Sequence, residues 1–77
     1  MESIGLIAGF ATEVMKFVNN SQMRKHNEKM TSLEHAIREE KARGQESDDG
    51  KIEDMEKEFM VEANAFLREL ALMGASK

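Results

Sequence analysis

The chain has 77 residues, 11 Lys+Arg against 15 Asp+Glu, and no Cys, Pro, Trp or Tyr. So short a chain forms one domain at most and buries only roughly 60% of its unfolded surface, which excludes a doubly wound sheet, a barrel or a two-domain catalytic cleft. Without cysteine there is no disulfide, no thiolate metal site and no cysteine nucleophile, and a net charge of −4 argues against nucleic acid as a partner.

The charge is unevenly spread. Residues 1–20 carry Glu2, Glu13 and Lys16. Residues 21–43 carry six bases (Arg24, Lys25, Lys29, Arg38, Lys41, Arg43) against four acids, and residues 44–77 carry nine acids against four bases. A basic middle and an acidic final third suit two segments that face each other. Nothing reads as a strand, because alternation and hairpin dipeptides are absent and helix formers dominate.

Residues 1–20 form an apolar N-terminal segment. Ser3 to Thr12 carry no charge, about half a membrane span, before Glu13 and Lys16 interrupt. Neither a transmembrane helix nor a secretory signal is expected, since the positive start and the cleavage pattern are missing. This leaves localisation at cytoplasmic or within a particle. Ile4, Leu6, Ile7, Ala8, Phe10, Ala11, Val14, Met15, Phe17 and Val18 wrap most of a helix circumference, so the segment must be enclosed by the rest of the chain, by copies of itself or by lipid. Gly5-Leu6-Ile7-Ala8-Gly9 is a G-x-x-x-G, a pattern that lets two helix backbones approach closely.

Residues 21–77 read as a helical hairpin. Met23, Met30 and Ile37 recur at intervals of seven, with Leu33 and Ala36 beside them, and Glu34–Arg38 and Glu39–Arg43 support the helix from outside. So thin a seam suits one partner helix. A loop follows at 44–50, opened by a glycine suited to the left-handed position after a helix and closed by Asp and Gly suited to capping the next one. The second hairpin helix is expected from about Gly50 to Met73, where Ile52, Phe59, Phe66 and Met73 recur at intervals of seven. Met55, Ala63, Leu67 and Leu70 fill the adjoining positions, Glu53–Lys57 pairs outside, and Gly74 stops the helix.

If the loop closes an antiparallel hairpin, residue 43 faces 51 and Met73 lands near residue 21, which leaves residues 1–20 without an internal partner. Two solutions remain. The favoured one is a single long first helix from about Ser3 to Arg43, some 60 Å at 1.5 Å per residue, with its apolar end buried by self-association. The other is a break at Asn19-Asn20-Ser21 that folds residues 2–18 back into a compact three-helix bundle.

No constellation of polar groups points to catalysis. His26 and His35 are nine residues apart and point to different faces of one helix. His35 and Glu39, at i and i+4, are at most half of a metal site. Asp48-Asp49-Gly50 lacks the alternating ligands of a calcium loop. Glu39-Glu40 and Asp48-Asp49 read as solvated charge runs. No enzyme, metal or cofactor is therefore expected. His26 sits in the apolar register between Met23 and Met30, where it is either a seam-edge histidine or a pH-sensitive one. Six methionines beyond Met1 fall mostly on apolar faces, as gap fillers or as adaptable binding groups.

The expected fold is all-α: an antiparallel helical hairpin with an apolar, self-associating N-terminal helical segment. Met23, Met30, Leu33, Ile37, Ile52, Met55, Phe59, Phe66, Leu70 and Met73 form the hairpin seam. Ile4, Gly5, Ile7, Gly9, Phe10, Val14 and Phe17 make the contact between copies, and Met60 with Val61 widens the apolar arc into a second surface. The function expected first is a non-catalytic structural or assembly protein, packing helices in a homo-oligomer or larger particle. A small adaptor or inhibitor that binds a host protein is the alternative, and a peripheral membrane protein inserting residues 1–18 is a third reading. In overall style, a glycine-punctuated apolar start followed by a charged helix, the chain resembles small structural or ejection proteins of bacteriophages. The likeness lies in composition, with no residue correspondence, and implies a small virion component.

Overall fold

The computed structural model describes residues 2–75 as three α-helices, α1 (Glu2–Met15), α2 (Ser21–Ala42) and α3 (Asp49–Ala75), with a 3-10 turn at Gly44–Glu46. Among the described residues there is no strand. The helices lie along one axis in a rod of 50 × 19 × 18 Å.

The two hairpin stripes meet as their spacing dictates. Met23, Met30 and Ile37 of α2 are buried against Ile52, Phe59, Ala63 and Phe66 of α3, with Leu33, Met55, Leu70 and Met73 partly buried beside them. Gly44 takes the left-handed conformation at φ +66, which a residue with a Cβ adopts only at a cost. Asp48 caps α3, its Oδ1 accepting the Lys51 N–H at 3.1 Å.

The long first helix is not formed, and the three-helix arrangement is. The last turn of α1 tightens into i to i−3 bonds, from Lys16 N–H to the Glu13 carbonyl and from Phe17 N–H to that of Val14. Asn20 is extended at φ −140, ψ 117, and its Oδ1 accepts the Met23 N–H at 3.0 Å, an N-cap that starts α2 anew. Helix α1 then folds back against α2 and α3. Ile4, Ala8 and Ala11, at i, i+4 and i+7, are buried in the common core, and Ile7, Val14, Met15 and Val18 pack against it. Residues 1–20 therefore do have an internal partner. Ala8 and Ala11 on one side and Ala63 on the other are small enough to let a third helix settle into the groove between the other two.

Three further expectations are corrected. Helix α3 runs through Gly74 to Ala75, because a glycine that keeps helical dihedrals only weakens a helix, by about 1 kcal/mol. Glu39 pairs with His35 at 3.3 Å, and Arg43 turns to Glu40 at 3.9 Å, so the Glu39–Arg43 pair is absent. Glu40 is not a solvated charge: it is 6% exposed, and its Oε2 accepts the Asp48 N–H at 2.8 Å. Lys51 Nζ stands 3.6 Å from its Oε1. The Asp48 N–H holds the Glu40 pKa below its ordinary 4.5 against the opposing effect of burial, with Arg43 and Lys51 adding to the lowering. This buried carboxylate ties the end of α2 to the start of α3. The expected pairs Glu34–Arg38 and Glu53–Lys57 both form.

Candidate interaction surface

Two open grooves run along the rod. One, about 580 Å³, is lined by Ile4, Gly5, Leu6, Glu34, Ile37, Arg38 and Lys41 between α1 and α2. The other, about 450 Å³, is lined by Lys25, Glu28, Lys29, Ser32, Leu33, Glu58 and Glu62 between α2 and α3. Ligand pockets commonly have such volumes, but several of the charged groups here are engaged with one another. Arg38 pairs with Glu34, Lys41 stands 3.5 Å from Glu56, and Lys29 lies 3.8 Å from Glu62. No buried side-chain polar atom among the described residues lacks a partner.

The histidines separate as their spacing requires. His26 Nδ1 lies 2.7 Å from Glu62 Oε1 across the α2–α3 seam, and His35 stays exposed on the outer face beside Glu39. Among the described residues no three His, Asp or Glu side chains gather where they could hold a metal ion. Among the described residues no helix is long and apolar enough to cross a membrane.

What stands out is exposed apolar surface. Leu6 (74%), Phe10 (50%) and Phe17 (87%) on or just beyond α1, and Met60 (43%) and Leu67 (44%) on α3, remain in water. Their placement follows from the helical period of about 100° per residue. On α1, Gly5 and Thr12 face α2: a Cβ on Gly5 would meet Glu34 Oε2 at 3.9 Å, and the Thr12 hydroxyl lies 3.5 Å from Asn27 Oδ1. Phe10 stands on the opposite flank, toward α3, and Leu6 points away from the core at the rim of the α1–α2 groove. On α3, Glu62 faces α2 through His26, and Met60 and Leu67 occupy the flank away from it, toward α1. Phe10 therefore stands across from Met60 and Leu67 on the α1–α3 side of the rod.

Gly5 beside Glu34, Thr12 beside Asn27, His26 beside Glu62 and Glu40 beside Lys51 also fix the register. Because α1 and α3 run parallel with the same rise, an α1 residue stands level with the α3 residue about fifty positions later. Phe10 is thus level with Met60, and Phe17, in the turn after α1, comes near the level of Leu67, so these four side chains form a ridge along the α1–α3 side of the rod.

Of the residues expected to join copies, Ile4 is buried in the chain's own core and Ile7 and Val14 are partly buried. Gly5 faces Glu34, and a Cβ on Gly9 would meet nothing within 4 Å, so the G-x-x-x-G brings no backbones together within this chain. Phe10 and Phe17 stay outside. Met60 lies on the ridge, whereas Val61, one residue on, points to the far side of α3 and is 64% exposed. One member of the ridge, Leu67, was not singled out: it belongs to the α3 stripe by spacing, and only the arrival of α1 shows that it stands at the edge. Compared with known protein families, with curated proteins and with solved structures, the chain matches none.

Proposed function

We propose that the chain is a non-catalytic assembly module that works by helix packing, with the Phe10–Phe17–Met60–Leu67 ridge as its docking face. One observation carries this: two of the four phenylalanines, Phe10 and Phe17, lie outside the core on the same side as two other large apolar side chains. Taking about 200 Å² for one fully exposed large apolar side chain, the ridge leaves roughly 450 Å² in water, the size of the largest apolar patch on a typical monomer, which is often functional. The grooves supply no converging polar groups that favour a reaction instead. The surroundings favour a protein over a lipid surface, because Glu13, Glu53 and Glu56 flank the ridge and no basic cluster does. The compositional likeness to small phage structural proteins is the support for placing such a module in a virion.

The test is site-specific photo-crosslinking from positions 10 and 17, with position 45 in the loop as control. The expected result is discrete protein adducts from 10 and 17 and none from 45. Adducts equal at all three positions, or none at any, would overturn the proposal.

A further inference from the structure

We infer that α1 exchanges between two copies of the chain: the bend at residues 16–20 straightens, and the α1 of each copy docks on the α2–α3 hairpin of the other. None of the ridge side chains belongs to the buried core that α1 joins, so the inference goes beyond the docking face and does not rest on it.

The bend is the first argument. Its residues, Lys16-Phe17-Val18-Asn19-Asn20, include neither glycine nor proline, so nothing bars them from a helix. Among the described residues the backbone N–H groups of residues 18–22 meet no backbone carbonyl. A straight helix gives each of them the carbonyl four residues earlier. Locally, straightening is opposed by the Asn20 side chain on the Met23 N–H. Beyond that, the bend is held by the burial of Ile4, Ala8 and Ala11, and a second copy offers the same burial.

Geometry is the second argument. Gly5 stands beside Glu34, and Thr12 beside Asn27. Both pairs are symmetric about the point between Asn19 and Asn20. In a straight helix over residues 2–42, about 60 Å long, positions 5, 12, 27 and 34 fall within an arc of about 60°. One face of the straightened helix therefore carries both sides of the α1–α2 contact. A second such helix, antiparallel about a two-fold axis at that point, restores each pair between copies in the same register. Asn19 and Asn20 then flank the axis at the border of the shared face, where asparagine serves to fix the register of packed helices. A short connector holds α1 at an effective concentration of about 1 mM, so exchange competes when the chain itself is that concentrated. The bonds regained at the bend lower this threshold.

The test is sedimentation of the full chain, refolded at about 1 mM, for the wild type, Asn20→Ala and Ser21→Pro. Ser21 is the first residue of α2 and follows an extended Asn20, where proline fits the bent chain. Inside a straight helix the same proline removes a bond and clashes with the preceding turn. Helical circular dichroism of each variant checks the fold. The wild type is expected to reach twice 8.7 kDa, Asn20→Ala to dimerise at least about tenfold more readily, and Ser21→Pro at least about tenfold less. Spin labels on Ser3→Cys and Glu39→Cys of one copy, diluted into unlabelled chain, should be about 54 Å apart along the helix in the dimer, whereas in the bent monomer they stand within about 5 Å of level. A monomer at about 1 mM for both the wild type and Asn20→Ala overturns the inference. So does a dimer that Ser21→Pro leaves unchanged, or one that keeps the labels level. Such a dimer packs through another face, so the reading of the ridge survives it.

Discussion

Replacing Asn20 by Ala separates the folded-back arrangement from a continuous first helix by the sign of its effect. In the structure the Asn20 side chain accepts the Met23 N–H at 3.0 Å while its backbone is extended, and loss of such a cap costs about 1 kcal/mol. In a domain of this size that lowers the melting temperature by roughly 4–8 °C. Were residues 3–43 one helix, position 20 would lie in a helix interior, where Ala is better than Asn by about 0.6 kcal/mol, and the melting temperature would rise. Asn19→Ala is the control: its Oδ1 accepts only an exposed bond from Arg24 at 3.2 Å, so a shift within about 0.5 kcal/mol is expected. Thermal and urea unfolding followed by helical circular dichroism, at matched protein concentration, reads all three chains. A melting temperature for Asn20→Ala at or above that of the wild type would refute the break between α1 and α2.

The Glu40 carboxyl has its folded pKa held below the ordinary 4.5, chiefly by the Asp48 N–H. A lowered carboxyl pKa stabilises the fold above the unfolded value, and that contribution is lost as pH falls through the folded one. The wild type should therefore lose stability below about pH 4.5 more steeply than Glu40→Gln, as urea midpoints across that range will show. Gly44→Ala, at φ +66, should cost about 1 kcal/mol, whereas Gly9→Ala, whose Cβ meets nothing within 4 Å, should stabilise by up to about 1 kcal/mol; urea midpoints of the pair check both signs. Phe66→Ala removes a side chain that is 1% exposed and should cost about 3–5 kcal/mol. That approaches the whole stability of a small domain, so its cooperative melt should be lost near room temperature.

The hairpin was legible because its information is local and periodic: Met23, Met30 and Ile37 on one helix and Ile52, Phe59 and Phe66 on the other repeat every seven residues, and Gly44 punctuates them. The fold-back of α1 was less so. A cap made by one asparagine carries no glycine or proline to advertise it, and Asn20 becomes a cap only when its backbone leaves the helix. In an all-apolar run the spacing marks no face, so the buried stripe of Ile4, Ala8 and Ala11 and the exposed one of Leu6 and Phe10 separate only once α2 and α3 supply the groove. Glu40 was misread for a similar reason. A glutamate beside another glutamate looks solvated until the loop folds over it and offers the Asp48 N–H.

The most direct test of the ridge is to record backbone amide NMR spectra of the isotope-labelled chain while it is diluted. Concentration-dependent shifts centred on Phe10, Phe17, Met60 and Leu67, with Leu72 unchanged, are the expected result. Shifts centred on Val61 and Leu72, on either groove, or on no residue at all would contradict self-packing through this face.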